Sequence, residues 1–267
     1  MKHCLTIAGS DSCGGAGIQA DLKAFSANGT YGMSVITAIT AQNTQGVFDV
    51  QDIDPSVIAH QIEAIFDDIR VDAVKIGMVS RPETIETIAS TLQKYTLPPI
   101  ILDPVMISKS GYDLLRPEAK KALMEKLIPM ATLITPNLPE AEVMVGYTID
   151  SLEGMKRAAR DLHALGCRYV LVKGGHLCDD ATDVFYDGET FFLLHTKRLE
   201  TINTHGTGCT LSSAIAANVA KGMPMLEALE NAKNYITEAI RHGFVLGHGV
   251  GPVHHFYALY QKAGMLS

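Results

Sequence analysis

The segment Thr204-His205-Gly206-Thr207-Gly208-Cys209-Thr210 sets two glycines and a thiol at the head of a stretch rich in small residues: Ser212, Ser213, Ala214, Ala216 and Ala217. Free N–H groups at a helix start, unobstructed by side chains at glycine, hold an anion with the help of the helix dipole. Cys209 falls in that first turn, where a thiolate is favoured. The competing reading is a packing motif around a buried structural cysteine. A second Gly-rich turn, residues 9–17 (GSDSCGGAG), follows an apolar run and precedes a helical pattern. Glycines there let backbone approach a ligand. It is neither a dinucleotide fingerprint nor a P-loop, because no Gly-Lys-Ser/Thr follows. A tight turn without a ligand is the alternative.

Charged groups fall at the ends of other apolar runs. Asp103-Pro104 ends one, and Asn137-Leu138-Pro139-Glu140 follows another. Carboxylates at strand ends suit a magnesium ion that keeps waters and meets substrate phosphates. Asp before Pro is also a common turn, and Asn is a common helix N-cap. Lys109, between Ser108 and Ser110-Gly111, could cover a phosphate or simply be solvated. Lys173-Gly174-Gly175-His176 follows a strand pattern and could hold nucleotide phosphates or form a plain loop turn. His242, His248, His254 and His255 have neither the spacing nor the companion ligands of a metal set.

These groups need a scaffold, and the apolar pattern supplies one. Strands are expected at 4–8, 34–39, 73–76, 100–102, 133–135 and 169–172. Helices are expected at 18–28, closed by Gly29, and at 56–69, 82–95, 151–165, 207–221 and 224–242, with one opening at Asn137–Pro139. Ser151 is an expected N-cap and Gly166 an expected C-terminal stop. Residues 183–201 read as antiparallel, turning at Tyr186-Asp187-Gly188-Glu189. Alternating strands and helices imply a mainly parallel sheet with helices on both faces, and antiparallel strands at an edge. No linker or repeat divides the 267 residues, so one domain over 1–267 is expected.

Composition narrows the function. Hydrophobic residues make up 47% and charged residues 19%, against a usual ~25%, which excludes a disordered chain. With 22 Lys plus Arg against 29 Asp plus Glu, the net charge of −7 argues against nucleic acid or a membrane surface as partner. Five cysteines without a CxxC pair do not make a disulfide framework or a zinc site. No apolar run approaches the ~18 residues of a membrane helix, and the N-terminus is too polar for a signal peptide. The expectation is a soluble, reduced, cytoplasmic protein.

The stretches LTIAGSDSCGGAGIQADLKAFS, YGMSVITAITAQNTQGV, KIGM, DPVM with KSG, LITPNLPEAE, VKGGH, NTHGTGCTLSSAIAA and GVGPVHHF span nearly the whole chain. In that order they resemble the ribokinase-like kinases, and more closely the bacterial hydroxymethylpyrimidine/phosphomethylpyrimidine kinases of thiamin biosynthesis. The resemblance implies a ribokinase-like three-layer sandwich, a homodimer, and ATP with Mg2+. It implies phosphorylation of 4-amino-5-hydroxymethyl-2-methylpyrimidine and then of its monophosphate. By the same resemblance Gln42 hydrogen-bonds the aminopyrimidine, and Asp21, Ala16, Gly9, Met78 and Val105 line its pocket. Asn137, Lys173 and Thr207 lie on the nucleotide side, and Asp103 and Glu140 near magnesium. Gly206, Thr207, Gly208 and Cys209 form the anion hole with Cys209 as base, and Lys109 belongs to the lid loop. Some relatives that phosphorylate pyridoxal carry a second cysteine in that loop; residues 105–112 (VMISKSGY) have none. The length leaves no room for a fused thiamin-phosphate synthase. Rival readings are a pyridoxal or pyridoxine kinase and a non-catalytic pyrimidine sensor.

Overall fold

The computed structural model describes residues 1–106, 114–174 and 181–266. Its nine strands form one sheet. In chain order they are β1 (His3–Asp11), β2 (Tyr31–Gln42), β3 (Val47–Asp52), β4 (Ala73–Ile76), β5 (Ile100–Leu102), β6 (Leu133–Ile134), β7 (Tyr169–Val172), β8 (Asp183–Tyr186) and β9 (Phe191–Leu194). Their order across the sheet is β3-β2-β1-β4-β5-β6-β7-β8-β9. The six strands from β2 to β7 run parallel. The β8–β9 hairpin is antiparallel, as expected, but 195–201 is not strand. The opposite edge is also antiparallel, through β3 on β2, a strand absent from the expectations.

Side chains of a strand alternate between faces. Leu5, Ile7, Val74, Ile76, Leu102 and Ile134 enter one core, under α2 (Pro55–Phe66), α3 (Pro82–Leu92), α5 (Leu138–Val145) and α6 (Leu152–His163). Cys4, Ala73, Ile101, Leu133 and Leu171 enter the other, with α7 (Thr207–Ala220) and α8 (Met225–Arg241). Helix α1 (Gly17–Ala27) adds Phe25 to this second core. The arrangement is the helix–sheet–helix sandwich of the ribokinase-like fold. The alternation also fixes the place of Lys75. Two residues after Ala73, it faces α1 and α7, although β4 is otherwise apolar and buried along its length.

Local signals start two helices where expected, while α2 and α3 each stop three residues short of the expected ends, at Phe66 and Leu92. Ser151 caps α6 by accepting the Gly154 N–H, and Asn137 with Glu140 forms a reciprocal capping box on α5. Residues 119–130 are helical without having been foreseen: α4 (Ala119–Ala122) passes into a π turn at Leu123–Leu127 and a 3-10 turn at Ile128–Met130. A last short helix, α9 (Tyr257–Lys262), follows α8. No helix among the described residues is long and apolar enough to cross a membrane.

Candidate active site

The carboxyl ends of the parallel strands and the start of α7 enclose a cavity of about 840 Å3. Gly9 enters from β1, Gln42 from β2, Met78 from just beyond β4, and Asp103 and Val105 from beyond β5. Asn137 comes from the β6–α5 turn, Glu140 from the first turn of α5, Lys173 from just beyond β7, and Gly206, Thr207, Gly208 and Cys209 from the start of α7. Ala16, just before α1, completes the expected lining. Ligands of such sheets bind beyond the carboxyl ends of the strands. Lys109 lies outside the described residues.

The two Gly-rich turns belong to this one site. A side chain at Gly15 would strike the His205 ring, and one at Gly206 would strike the Gly15 carbonyl. Gly206 also has φ +78°, the left-handed conformation that glycine tolerates. The first intrahelical bond of α7 runs from Thr210 N–H to the Gly206 carbonyl, and Thr207 N–H bonds Thr204 O at 3.3 Å. The amides of Gly208 and Cys209 therefore precede the ladder, where helix N–H groups lack intrahelical acceptors.

Asp103, Glu140 and Lys173 form a charged cluster beside that turn. Lys173 Nζ donates to Asp103 Oδ1 at 2.9 Å, and Thr135 Oγ1 donates to the same oxygen at 3.0 Å. Burial opposes ionisation of Asp103, but the Lys173 and Lys75 ammonium groups and these hydrogen bonds hold its carboxyl below the usual range. Glu140 differs. Burial pushes it up to about 7; Lys173 offsets part of that and Asp103 adds to it. A Cβ on Gly208 would stand 3.3 Å from Lys173 Nζ and 3.4 Å from Asp103 Oδ2, so the glycine keeps helix start and cluster in contact.

Two expectations are corrected. Asp21 does not line the cavity. Its carboxylate is fully buried and takes both oxygens' bonds from the interior: Lys75 Nζ at 2.9 Å to each, Thr6 Oγ1 at 2.6 Å and Ser213 Oγ at 2.7 Å. The lysine that β4 turns toward α1 requires this counter-charge, since an unpaired buried ammonium is strongly unfavourable. Second, the thiol of Cys209 is not acidified. Burial pushes it up to about 11; Lys75 pulls it down, while Asp21 and Asp103 push it further up. Helix-start stabilisation of a thiolate is outweighed here by desolvation and two carboxylates.

Other polar residues reach the site without having been expected. Asp11 accepts from Cys13, Gly15 and Ala16 N–H at 2.8–3.0 Å, and its Oδ2 lies 2.9 Å from His205 Nε2. Asp11, Cys13 and His205 are the one three-residue grouping of metal-ligand types among the described residues. The Asp11 carboxylate, however, is engaged as the cap of its own turn. Lys233 pairs with Asp183 at 2.5 Å and bonds Ala181 O, while Asp183 Oδ1 accepts the Gly174 N–H. This buried pair ties α8 to the chain just after Lys173. Sequence signals existed for some of these: His205 interrupts the small-residue motif, and Lys75 stands alone in a buried strand.

Comparison with known proteins gives a consistent result. The family model described as phosphomethylpyrimidine kinase matches residues 11–254. A hydroxymethylpyrimidine/phosphomethylpyrimidine kinase of Rhizobium meliloti is 54% identical over 257 residues, covering 95% of this chain and 96% of its own. The crystal structure of a Clostridium difficile phosphomethylpyrimidine kinase is 54% identical, with a TM-score of 0.81, over 90% of this chain and 100% of that one. A Bacillus subtilis pyridoxal kinase solved with ADP is 44% identical, with a TM-score of 0.91, over 97% and 99% of the two chains.

Proposed function

The chain belongs to the phosphomethylpyrimidine kinase family, and from that premise we propose that it phosphorylates 4-amino-5-hydroxymethyl-2-methylpyrimidine with ATP and then converts the monophosphate to the diphosphate for thiamin biosynthesis. The observation that carries this reading is a convergence in one cavity. A side-chain amide, a helix-start anion turn with its thiol, and the Asp103–Lys173 ion pair with the Glu140 carboxyl near it all line it.

Each part has a task in phosphoryl transfer, which is mostly positioning and charge neutralisation. Gln42 offers a donor and an acceptor to the aminopyrimidine edge, with Gly9, Ala16, Met78 and Val105 around the ring. Lys173, Thr207 and the NH2 of Asn137 face the nucleotide; the Asn137 oxygen is engaged in capping α5. The amides of Gly208 and Cys209 hold the transferred group, on which charge develops in both steps. The minor thiolate form of Cys209 takes the hydroxyl proton of the first acceptor. The second acceptor is a phosphate oxygen and has no such proton to lose at neutral pH. The buried Asp21–Lys75 pair acts on Cys209 through charge, Lys75 favouring its thiolate and Asp21 opposing it.

Magnesium fits on donor chemistry. Hard oxygen ligands suit it, and a cation beside Glu140 would relieve the like-charge crowding that helps hold its carboxyl near 7. Asp103 and Glu140 would hold it, and when bound it neutralises phosphate charge. The same reading takes residues 1–267 as one domain of a cytoplasmic homodimer. Phe48, 68% exposed on edge strand β3, is a side chain that a second copy could cover.

The pyridoxal kinase likeness keeps a second reading in view, phosphorylation of a pyridine alcohol. Incubation with ATP, magnesium and hydroxymethylpyrimidine tests the proposal. Stoichiometric ADP and a phosphorylated pyrimidine are expected; binding without ADP identifies a sensor instead.

A further inference from the structure

Gln42, at the end of β2, is anchored through its backbone. Ser12 Oγ donates to its carbonyl at 2.7 Å and accepts from its N–H at 2.9 Å, clamping the backbone from both sides. Its side-chain amide nitrogen stands 3.3 Å from His205 Nε2 and its oxygen 3.3 Å from Thr40 Oγ1. A half-turn of the amide exchanges these two ends without moving the rest of the residue, so the donor and acceptor needs of the neighbours decide between them.

Both neighbours require the same answer. His205 Nε2 is 2.9 Å from Asp11 Oδ2, and an ionised carboxylate only accepts. The Asp11 carboxyl is held below its usual range; burial opposes this, but the His205 hydrogen bond and the Ala16 N–H prevail. Nε2 therefore carries a proton, whether the ring is neutral or charged. An amide NH2 facing it would set donor against donor; an amide oxygen is attracted. On the other side, Thr40 Oγ1 has one proton and a carbonyl partner, Ser10 O, at 2.9 Å. With that proton directed to Ser10, the hydroxyl can only accept from Gln42, which calls for the NH2. Asp11, His205 and Thr40 are all buried, in the wall of the cavity where Gln42 stands.

We propose that Asp11, His205 and Thr40 are positioning residues that fix the Gln42 amide with its oxygen toward His205 and its nitrogen toward Thr40, and thereby determine which ligand edge the site accepts. The inference rests on the reading that Gln42 meets the substrate. The preferred ligand then carries a donor on the His205 side and an acceptor on the Thr40 side. A 4-aminopyrimidine has that edge in its exocyclic amino group and adjacent ring nitrogen. A 4-oxopyrimidine of the same shape carries the reverse, with its carbonyl beside a ring N–H. In pyridoxal no donor stands beside the ring nitrogen; its vicinal 3-hydroxyl and 4-formyl groups make an edge of different geometry.

The test compares kcat/KM for 5-hydroxymethyl-2-methyl-4-aminopyrimidine and its 4-oxo analogue in the wild type and in Gln42→Leu, His205→Leu, Asp11→Asn and Thr40→Val. KM for ATP and Tm show whether each variant keeps its fold. The wild type should favour the amino compound by roughly 100-fold or more, since a site built for a hydrogen bond rejects a ligand that leaves it unmade. Gln42→Leu should abolish most of that preference. His205→Leu and Thr40→Val, acting from opposite sides, should each narrow it by about tenfold because the amide is freed to turn. In the Gln42→Leu background neither should narrow it further. If Gln42→Leu leaves the preference intact, the reading of Gln42 fails and the inference with it. If Gln42→Leu abolishes it while folded His205→Leu and Thr40→Val variants keep the full wild-type ratio, the reading of Gln42 survives and the inference is overturned.

Discussion

Replacing Cys209 by alanine should separate the two phosphorylations. The first acceptor is an alcohol whose proton must leave as its oxygen attacks phosphorus; the second is already an anion. A general base contributes typically ~10²–10⁴-fold, so Cys209→Ala should slow the alcohol step by at least ~10²-fold and the monophosphate step far less. The environment of the thiol adds a pH signature. With burial holding Cys209 at about 11, the thiolate at pH 7.5 is 11 − 7.5 = 3.5 powers of ten below the thiol, roughly one part in three thousand. Raising the pH by one unit increases that fraction about tenfold. The alcohol step should therefore climb with a slope near one in log rate between pH 7 and 9, and the monophosphate step should stay nearly flat. Single-turnover rates for each acceptor, in wild type and Cys209→Ala, give both readouts. Equal losses in the two steps, or an alcohol step that ignores pH while Cys209 is present, would refute Cys209 as base and leave it a wall of the anion turn.

Glu140→Gln should raise the magnesium concentration needed for half-maximal activity more than it raises the pyrimidine KM, which a magnesium titration checks. Lys75→Met leaves Asp21 buried without its counter-charge and should destabilise the protein by about 3–5 kcal/mol in urea unfolding, whereas Lys75→Met with Asp21→Leu should recover part of that loss. Gly208→Val crowds Lys173 and Asp103 and should slow both phosphorylations together, in contrast to Cys209→Ala.

The parallel core was legible because short unbroken apolar runs and glycine stops alternate along the chain. Runs such as 73–76 and 100–102 carry no rival pattern, and the observed strands have those bounds. Strand β3 was missed because VFDVQD, half polar and on an exposed edge, lacks the pattern of a buried strand. The helical stretch at 119–130 was missed because its regularity breaks into π and 3-10 turns. For the site, motif resemblance named residues that share one cavity, but it could not tell lining from support. Asp21 is four residues from the cavity-lining Gly17, yet one helical turn carries it into the interior, where only the structure reveals Lys75 as its partner. The thiol of Cys209 shows the same limit. Helix-start position is readable in the sequence, whereas the depth of burial and the carboxylates brought in from α1 and β5 are not.

The most direct measurement is a competition in one tube. Equimolar hydroxymethylpyrimidine and pyridoxal are incubated with the protein, ATP and magnesium, and the products are followed by mass spectrometry. The account predicts the pyrimidine monophosphate first, its conversion to the diphosphate as the principal end product, and pyridoxal phosphate as a minor species. A pyridoxal phosphate majority, or a pyrimidine that stops at the monophosphate with ATP still present, would contradict it.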